Sequence, residues 1–321
     1  MYNQGAAVLR ADLRGVQEEA FNYSAGFIGA RALPPLPVSA RAGQYPRIQI
    51  DAANLLRNET KGRGPGATYP RVQRAVTTDT YTCQEYGLEE LVDDSERNDY
   101  SRFFDMEAQA VKNIMRQVQL AHELRAATVL GDRATWTATT AATAYTAANL
   151  ATFDIGLDID VVKQAMASRG EDVSNLTVVM SLNMFNRARA STRLQNRIRG
   201  TISTDSLLTL SREAFAAALE VKEVLVGNNF YDTTAQGVTS SLSAIWGDTN
   251  IWIGRVAPFS GTESYFSGGA AATLFWEQDG EIFQTETYRE EDRRSEVVRC
   301  RQYCAEKVIN ANAGQILATN V

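Results

Sequence analysis

The sequence is poor in the residues that carry most catalytic and metal chemistry. A single histidine, His122, stands among 321 residues, so any site built from several imidazoles is excluded. Cysteine is nearly as scarce: Cys83, Cys300 and Cys304 form an odd set without metal-ligand spacing. If Cys300 and Cys304 share a strand, their Cα atoms lie ~13 Å apart and cannot be bridged, so reduced, partly buried thiols are expected. Lysine supplies only Lys61, Lys112, Lys163, Lys222 and Lys307, and the other 27 of the 32 basic residues are arginine. No apolar run approaches the ~18 residues of a membrane helix. Met1 to Arg14 is broken by Arg10, Asp12 and Arg14, which is unlike a secretory signal. The expectation is a soluble chain that stays in the cytosol where it is made. The net charge of −6 argues against a generally basic nucleic-acid binder.

What is present has globular proportions: 44% apolar and 22% charged residues, with length for one large domain or two small ones. The preference for arginine suits fixed, bidentate ion pairs between surfaces, a first sign of extensive protein–protein contact. Six of the seven prolines precede residue 71, in an N-terminal stretch whose Leu33-Pro34-Pro35-Leu36-Pro37 favours extended geometry after a short helix over 7–20. Alternation at Tyr45 to Ile50 and again at Tyr69 to Val76 flanks the polar, glycine-rich segment 57–67, which reads as a long β-hairpin with little to bury. Residues 85–99 then carry seven carboxylates against one arginine. Asn98 to Ser101 offers capping material for an uninterrupted helical pattern from Arg102 to Leu130, a rod of ~40 Å. Residues 134–152, with eight Ala and seven Thr, read as a low-complexity connection or Thr-rich hairpin. Helix and strand patterns alternate from Asp158 onward, and the end from Thr285 to Ile316 is strand-rich. There is no internal repeat.

Searches for chemistry return little. His122 sits mid-rod without a neighbouring nucleophile, and no G-x-S-x-G, C-x-x-C or H-E-x-x-H occurs. Gly62-Arg63-Gly64-Pro65-Gly66 lacks the Gly-Lys-Ser/Thr ending of a phosphate loop and precedes a strand rather than a helix. The carboxylates of 85–99 lack calcium-loop spacing and read as a solvated or interfacial face. Arg187, Arg189, Arg193, Arg197 and Arg199 gather five guanidiniums in thirteen residues without an acid. Such a stripe suits either phosphate or a carboxylate surface on a neighbouring copy.

The order of elements resembles the major capsid proteins of tailed bacteriophages, the Hong Kong 97-like fold. Thr80-Tyr81-Thr82-Cys83-Gln84-Glu85-Tyr86-Gly87-Leu88-Glu89-Glu90-Leu91-Val92-Asp93-Asp94 resembles the phrase that closes the extended loop in that family. Leu176 to Arg189, Lys222 to Gly227 and Ala244 to Asp248 are similar to successive axial-domain segments, and Glu286 to Arg299 to a peripheral return strand. The resemblance implies an α+β chain with an N-terminal arm (1–40) and an extended β-hairpin loop (41–90). It also implies a peripheral domain (91–152 and 283–305) with a spine helix over about 101–130, and an axial α/β domain (153–282 and 306–321).

The implied function is structural: self-assembly through pentamers and hexamers into an icosahedral head shell enclosing DNA, without enzymatic activity or cofactor. A nanocompartment shell of the encapsulin type, storing a cargo enzyme, is the alternative. Implied partners are other copies of the chain, a separate scaffolding protein, a portal, decoration proteins and packaged DNA held without sequence specificity. No membrane is involved, and the place is the virion, assembled in the bacterial host cytoplasm. Only about forty residues precede the loop, so scaffolding is expected as a separate protein, or the chain is already mature. A few members cross-link a loop lysine to a neighbour's asparagine, and Lys61 stands at a comparable place. Candidate inter-subunit contacts are Lys61 and Arg63 on the hairpin, Glu85, Glu89, Glu90, Asp93 and Asp94 on the acidic face, and Arg187, Arg189, Arg193, Arg197 and Arg199 on the basic stripe.

Overall fold

A computed structural model of the chain describes residues 8–9, 13, 16, 26–47, 58, 60, 62–69, 71, 77–100, 102–103, 105–199, 211–235, 237–257, 269–277 and 283–321. The N-terminal part is tied into a sheet. Where a helix is expected over 7–20, Val8–Leu9 form strand β1, opposite Thr287 and Glu286; Val16 is helical, and most of the span lies outside the described residues. A short helix, α1 (Gly29–Ala32), leads into the proline spacer, which is strand β2 (Pro35–Val38) laid parallel to residues 273–276. Prolines cannot donate to a ladder, and β2 sits at the sheet's edge, where one side needs no donor.

Strands β3 (Ala42–Arg47) and β4 (Thr77–Thr82) pair antiparallel, Arg47 opposite Thr77, and form the base of the hairpin. Among the described residues the return pairing is made by the threonine-rich segment from residue 77. Tyr69 and Arg71 are outside any strand, and residues 72–76 lie outside those described.

The acidic stretch divides into two elements, strand β5 (Gln84–Asp93) and helix α2 (Asp94–Tyr100). The long helix α3 (Met106–Gly131) starts later than the pattern predicts. Its cap is Asp105, whose carboxylate accepts from the amides of Glu107 and Ala108 at 3.0 and 3.4 Å, rather than any residue of 98–101.

The Ala/Thr segment supplies one strand, β6 (Ala138–Thr140). Then follow α4 (Ile155–Ser168), β7 (Leu176–Ser181), α5 (Leu182–Ala190), α6 (Thr192–Arg199), α7 (Arg212–Ala218), β8 (Glu223–Gly227) and the small pair β9 (Phe230–Asp232) and β10 (Leu242–Ala244). The chain ends through β11 (Asn250–Arg255), β12 (Ala271–Trp276), β13 (Phe283–Glu290), β14 (Ser295–Val308) and β15 (Gly314–Ala318).

Two sheets organise this mixed α+β chain. In the first, the long strand β14 pairs β5 along one edge, while β13 and β12 follow one another along the other. Helix α3 lies on this sheet, burying Val111, Ile114, Met115 and Val118 against Val92, Val298 and Cys300. The second sheet runs β6-β15-β11-β7-β8, with β6–β15 and β7–β8 parallel. Every residue of β7 is buried, Thr177 and Ser181 included, and α4 to α7 cover it through Ile159, Val162, Phe185, Leu194 and Phe215. A third cluster joins the two layers: Ala126 and Leu130 of α3 meet Trp136, Trp246 and Trp252 together with Ile28 and Leu33 from the N-terminal stretch. Among the described residues no helix is long and apolar enough to cross a membrane.

Candidate functional site

In the described part of the hairpin tip the three glycines face open space. Around Gly62, Gly64 and Gly66 no atom lies within 4 Å of where a Cβ would stand, and Gly66 adopts φ +81°, closing the turn in which the Ala67 amide donates to the Gly64 carbonyl at 3.1 Å. Arg63 is exposed, its guanidinium 4.7 Å from the centre of the Tyr69 ring. Lys61 lies outside the described residues.

Several acidic candidates find cations within the chain. Pairing of β5 with β14 sets Glu89 opposite Arg299, at 3.3 Å, and brings Glu85 to 3.5 Å from Arg301. Both arginines also grip Glu286 of β13, at 2.5 and 2.6 Å, so alternating charges run across three strands. Glu90 accepts from Asn113 at 3.3 Å. Asp93 accepts from the Ser95 amide at 2.7 Å, and that bond holds its carboxyl below the usual range. Arg289 hydrogen-bonds Asp94 through two nitrogens and lowers its pKa in the same way. The stretch is thus largely a component of the first sheet, with Glu96 and Asp99 exposed beyond it.

The basic stripe is broken at Ser191, whose hydroxyl donates to the Phe153 carbonyl at 2.9 Å between α5 and α6. Arg187 is half-buried and donates to the Tyr145 carbonyl at 3.1 Å. Arg197 is exposed and pairs with Asp160 at 3.2 Å. Arg189 and Arg193 are exposed, Arg189 beside the Phe185 ring at 5.7 Å. Nothing is described of the Arg199 side chain. The structure does not bring the acidic and basic candidates together within one chain.

The reactive residue types are engaged in structure. His122 is buried under α3, its Nε2 3.1 Å from the Thr273 hydroxyl and 3.9 Å from Glu306; burial pulls its pKa down to about 4, so the ring is neutral at pH 7. Burial likewise raises the pKa of all three thiols, that of Cys304 to about 12, which keeps them protonated. Among the described residues no group of three His, Cys, Asp or Glu side chains could hold a metal.

An open groove of about 670 Å³ lies between α3, β5 and β9. Phe27, Leu88, Leu120 and Phe230 give it apolar surface, and Glu89 and Glu90 outnumber Arg116 among its charged lining residues. Sequence reasoning missed this groove, and it missed Glu286, Arg289, Arg299 and Arg301 as the acidic stretch's partners. The i, i+2 spacing of Arg299 and Arg301 places both on one face of a strand, which was the available signal.

No family model and no curated protein sequence matches the chain. Solved structures do match its fold. A phage-related protein from Bordetella bronchiseptica RB50 is 21% identical, with TM-score 0.70 over 98% of each chain. The capsid of an empty GTA particle is 13% identical, with TM-score 0.58 over 93% of this chain and 91% of that one. The capsid of Cyanophage P-SCSP1u is 11% identical, with TM-score 0.54 over 88% and 85%. The chain therefore has, over nearly its whole length, an α+β fold found in phage capsids.

Proposed function

We propose that this chain is the major capsid protein of a tailed bacteriophage, a non-enzymatic subunit that assembles with copies of itself into a closed shell around DNA. The reading rests above all on fold similarity to capsid subunits over most of the chain, and the hairpin adds a tip whose Gly62, Gly64 and Gly66 meet nothing within 4 Å. A protruding arm of that kind needs a surface elsewhere to offset the entropy of ordering it. Segment 57–74 carries Arg57, Lys61, Arg63, Arg71 and Arg74 against Glu59, and the acidic groove beside β5 on a second copy has the complementary charge.

In this reading the architecture is the Hong Kong 97-like one, with N-terminal arm, extended loop, peripheral domain around α3 and axial domain around the second sheet. The exposed Arg189, Arg193 and Arg197 serve neighbouring carboxylates or packaged DNA. A scaffolding protein, a portal and decoration proteins complete the set of partners, and the product is a virion component assembled in the host cytoplasm. Negative-stain images of the purified assemblies, with nucleic acid and bound protein assayed, test it. Closed shells that hold DNA, or refill with it, support the proposal. Shells holding a co-purified enzyme would favour the nanocompartment alternative, and a compact monomer under all salt conditions would refute both.

A further inference from the structure

Glu123, in the middle of α3, is fully buried, yet among the described residues no cation pairs with it. Its carboxylate accepts three hydrogen bonds. The Ile28 amide donates to Oε1 at 3.0 Å, the Gly29 amide to Oε2 at 2.5 Å and the Trp246 indole N–H to Oε1 at 2.6 Å. A buried carboxylate without a counter-charge is expensive to keep, and burial raises its pKa against the pull of the three donors. A carboxyl suits this place because both of its oxygens can accept, whereas an amide offers one acceptor and one donor.

The three donors come from two separate parts of the fold. Ile28 and Gly29 begin a strap, residues 26–33, that crosses α3 and continues directly into β2 at the edge of the first sheet. Trp246 follows β10 and packs with Val179 of β7 and Ile316 of β15, in the second sheet. The strap reaches the same side at two further points: Asn229 donates to the Gly26 carbonyl at 2.7 Å, and Arg31 pairs with Glu223 of β8 at 2.7 Å. At its other end Leu33 accepts from the Thr273 hydroxyl of β12 at 3.4 Å. Gly29 is required at the crossing, because a Cβ there would stand 2.6 Å from Glu123 Oε2 and 3.1 Å from the Ala126 Cβ.

We propose that Glu123 is the latch of a conformational device: by holding the 26–33 strap and Trp246 on one carboxylate, it fixes the angle at which α3 and the first sheet meet the second. Unlatched, the strap keeps its contacts to Asn229, Glu223 and Thr273 but loses its hold on α3, and the angle between the two layers is less firmly set. In the shell reading that angle decides how neighbouring copies meet. The inference concerns the single chain and is tested on it, so its failure and the failure of that reading are distinguishable.

Two variants of the full chain test it. Glu123→Gln turns one acceptor into a donor facing donors, and Gly29→Ala wedges the strap off α3 while leaving the carboxylate intact. Hydrogen exchange over 26–33 should accelerate at least tenfold in both, with α3 and both sheets keeping their protection. The angle is read by spin labels at Arg116→Cys on α3 and Gln164→Cys on α4, both exposed, whereas the three native cysteines are buried. The expected result is a narrow distance distribution in the parent chain, broadened or shifted in either variant. Unchanged exchange over 26–33 would show that Glu123 does not hold the strap. Faster exchange with an unchanged distance would show that the strap does not set the angle. Should Glu123→Gln fail to fold, Gly29→Ala decides the matter alone.

Discussion

Arg289 on β13 gives two guanidinium nitrogens to the Asp94 carboxylate, at 3.0 and 2.6 Å, and so fastens the start of α2 to the far side of β14. The same guanidinium reaches Glu291 at 2.9 Å. A strand and a helix that are distant in sequence are joined here by a pair geometry that arginine makes and lysine does not. The heavy bias toward arginine is thus partly spent within the subunit, along the ladder of Glu85, Glu89, Glu286, Arg299 and Arg301, before any neighbour is met.

The Asp94 pair predicts a pH-dependent phenotype. Its carboxyl pKa is lowered by the Arg289 hydrogen bonds, so the stabilisation is full above the unfolded value of ~3.9 and is lost as pH falls through the folded one. Asp94→Asn should lower the melting temperature modestly at pH 7, and the gap should close on acidification toward pH ~2. Melts across that range check it; a gap independent of pH would mean that charge plays no part.

His122 predicts a second acid-dependent term with a different window. The folded pKa of about 4 lies below the ordinary histidine value of 6.5, so the unfolded chain takes up the proton first. Stability from this group is complete above pH ~6.5 and erodes down to pH ~4, by about 3 kcal/mol in full at 1.4 kcal/mol per unit. Arg125 and Glu306 are the charged groups acting on the ring, and their opposing fields leave burial dominant. His122→Gln retains a partner for the Thr273 hydroxyl and removes the titration. Its urea midpoint should vary less than the parent's between pH 6.5 and 4, and parallel profiles would contradict the buried, neutral state.

The exposed arginines allow the two readings of the stripe to be separated. Among the described residues no carboxylate pairs with Arg193, and the exposed Arg197–Asp160 pair contributes ~0–1 kcal/mol at most. Arg193→Glu with Arg197→Glu should therefore leave subunit melting within a few degrees of the parent while closed particles become scarce. Particles that close normally but lose DNA would assign the stripe to phosphate instead.

Local pattern carried much of the fold. The apolar run at Leu176 announced a buried strand, and helical spacing without Gly or Pro announced α3, because both signals are complete within a short window. Pairing between distant segments has no such signal. Nothing near Glu85 or Glu89 indicates that Arg301 and Arg299 will lie beside them, since that depends on the register of β5 against β14. The acidic stretch consequently read as a surface seeking a neighbour. Val8 and Leu9 read as helical because β13, which claims them, lies almost 280 residues away. Glu123 was equally silent, as a glutamate in a helix is ordinarily solvent-facing and only the folded strap shows what it holds.

The hairpin gives the sharpest test of assembly. Its base is fixed by six residue pairs between β3 and β4, and Tyr45 and Tyr81 at that base are buried with Leu274 and Tyr303. The tip beyond it meets empty space at Gly62, Gly64 and Gly66. Removing the tip therefore subtracts chain entropy without removing a contact made by those glycines. Replacing 57–68 by an Asn-Gly turn, which suits a two-residue hairpin connection, should leave the subunit's melting temperature nearly unchanged. Particle yield, measured by sedimentation and negative stain, should fall sharply because the arm that would lie on a second copy is gone. Full assembly by the shortened chain would show that the tip is only a solvated loop. Loss of the subunit fold would place residues 57–68 in its core, which their exposed glycines contradict.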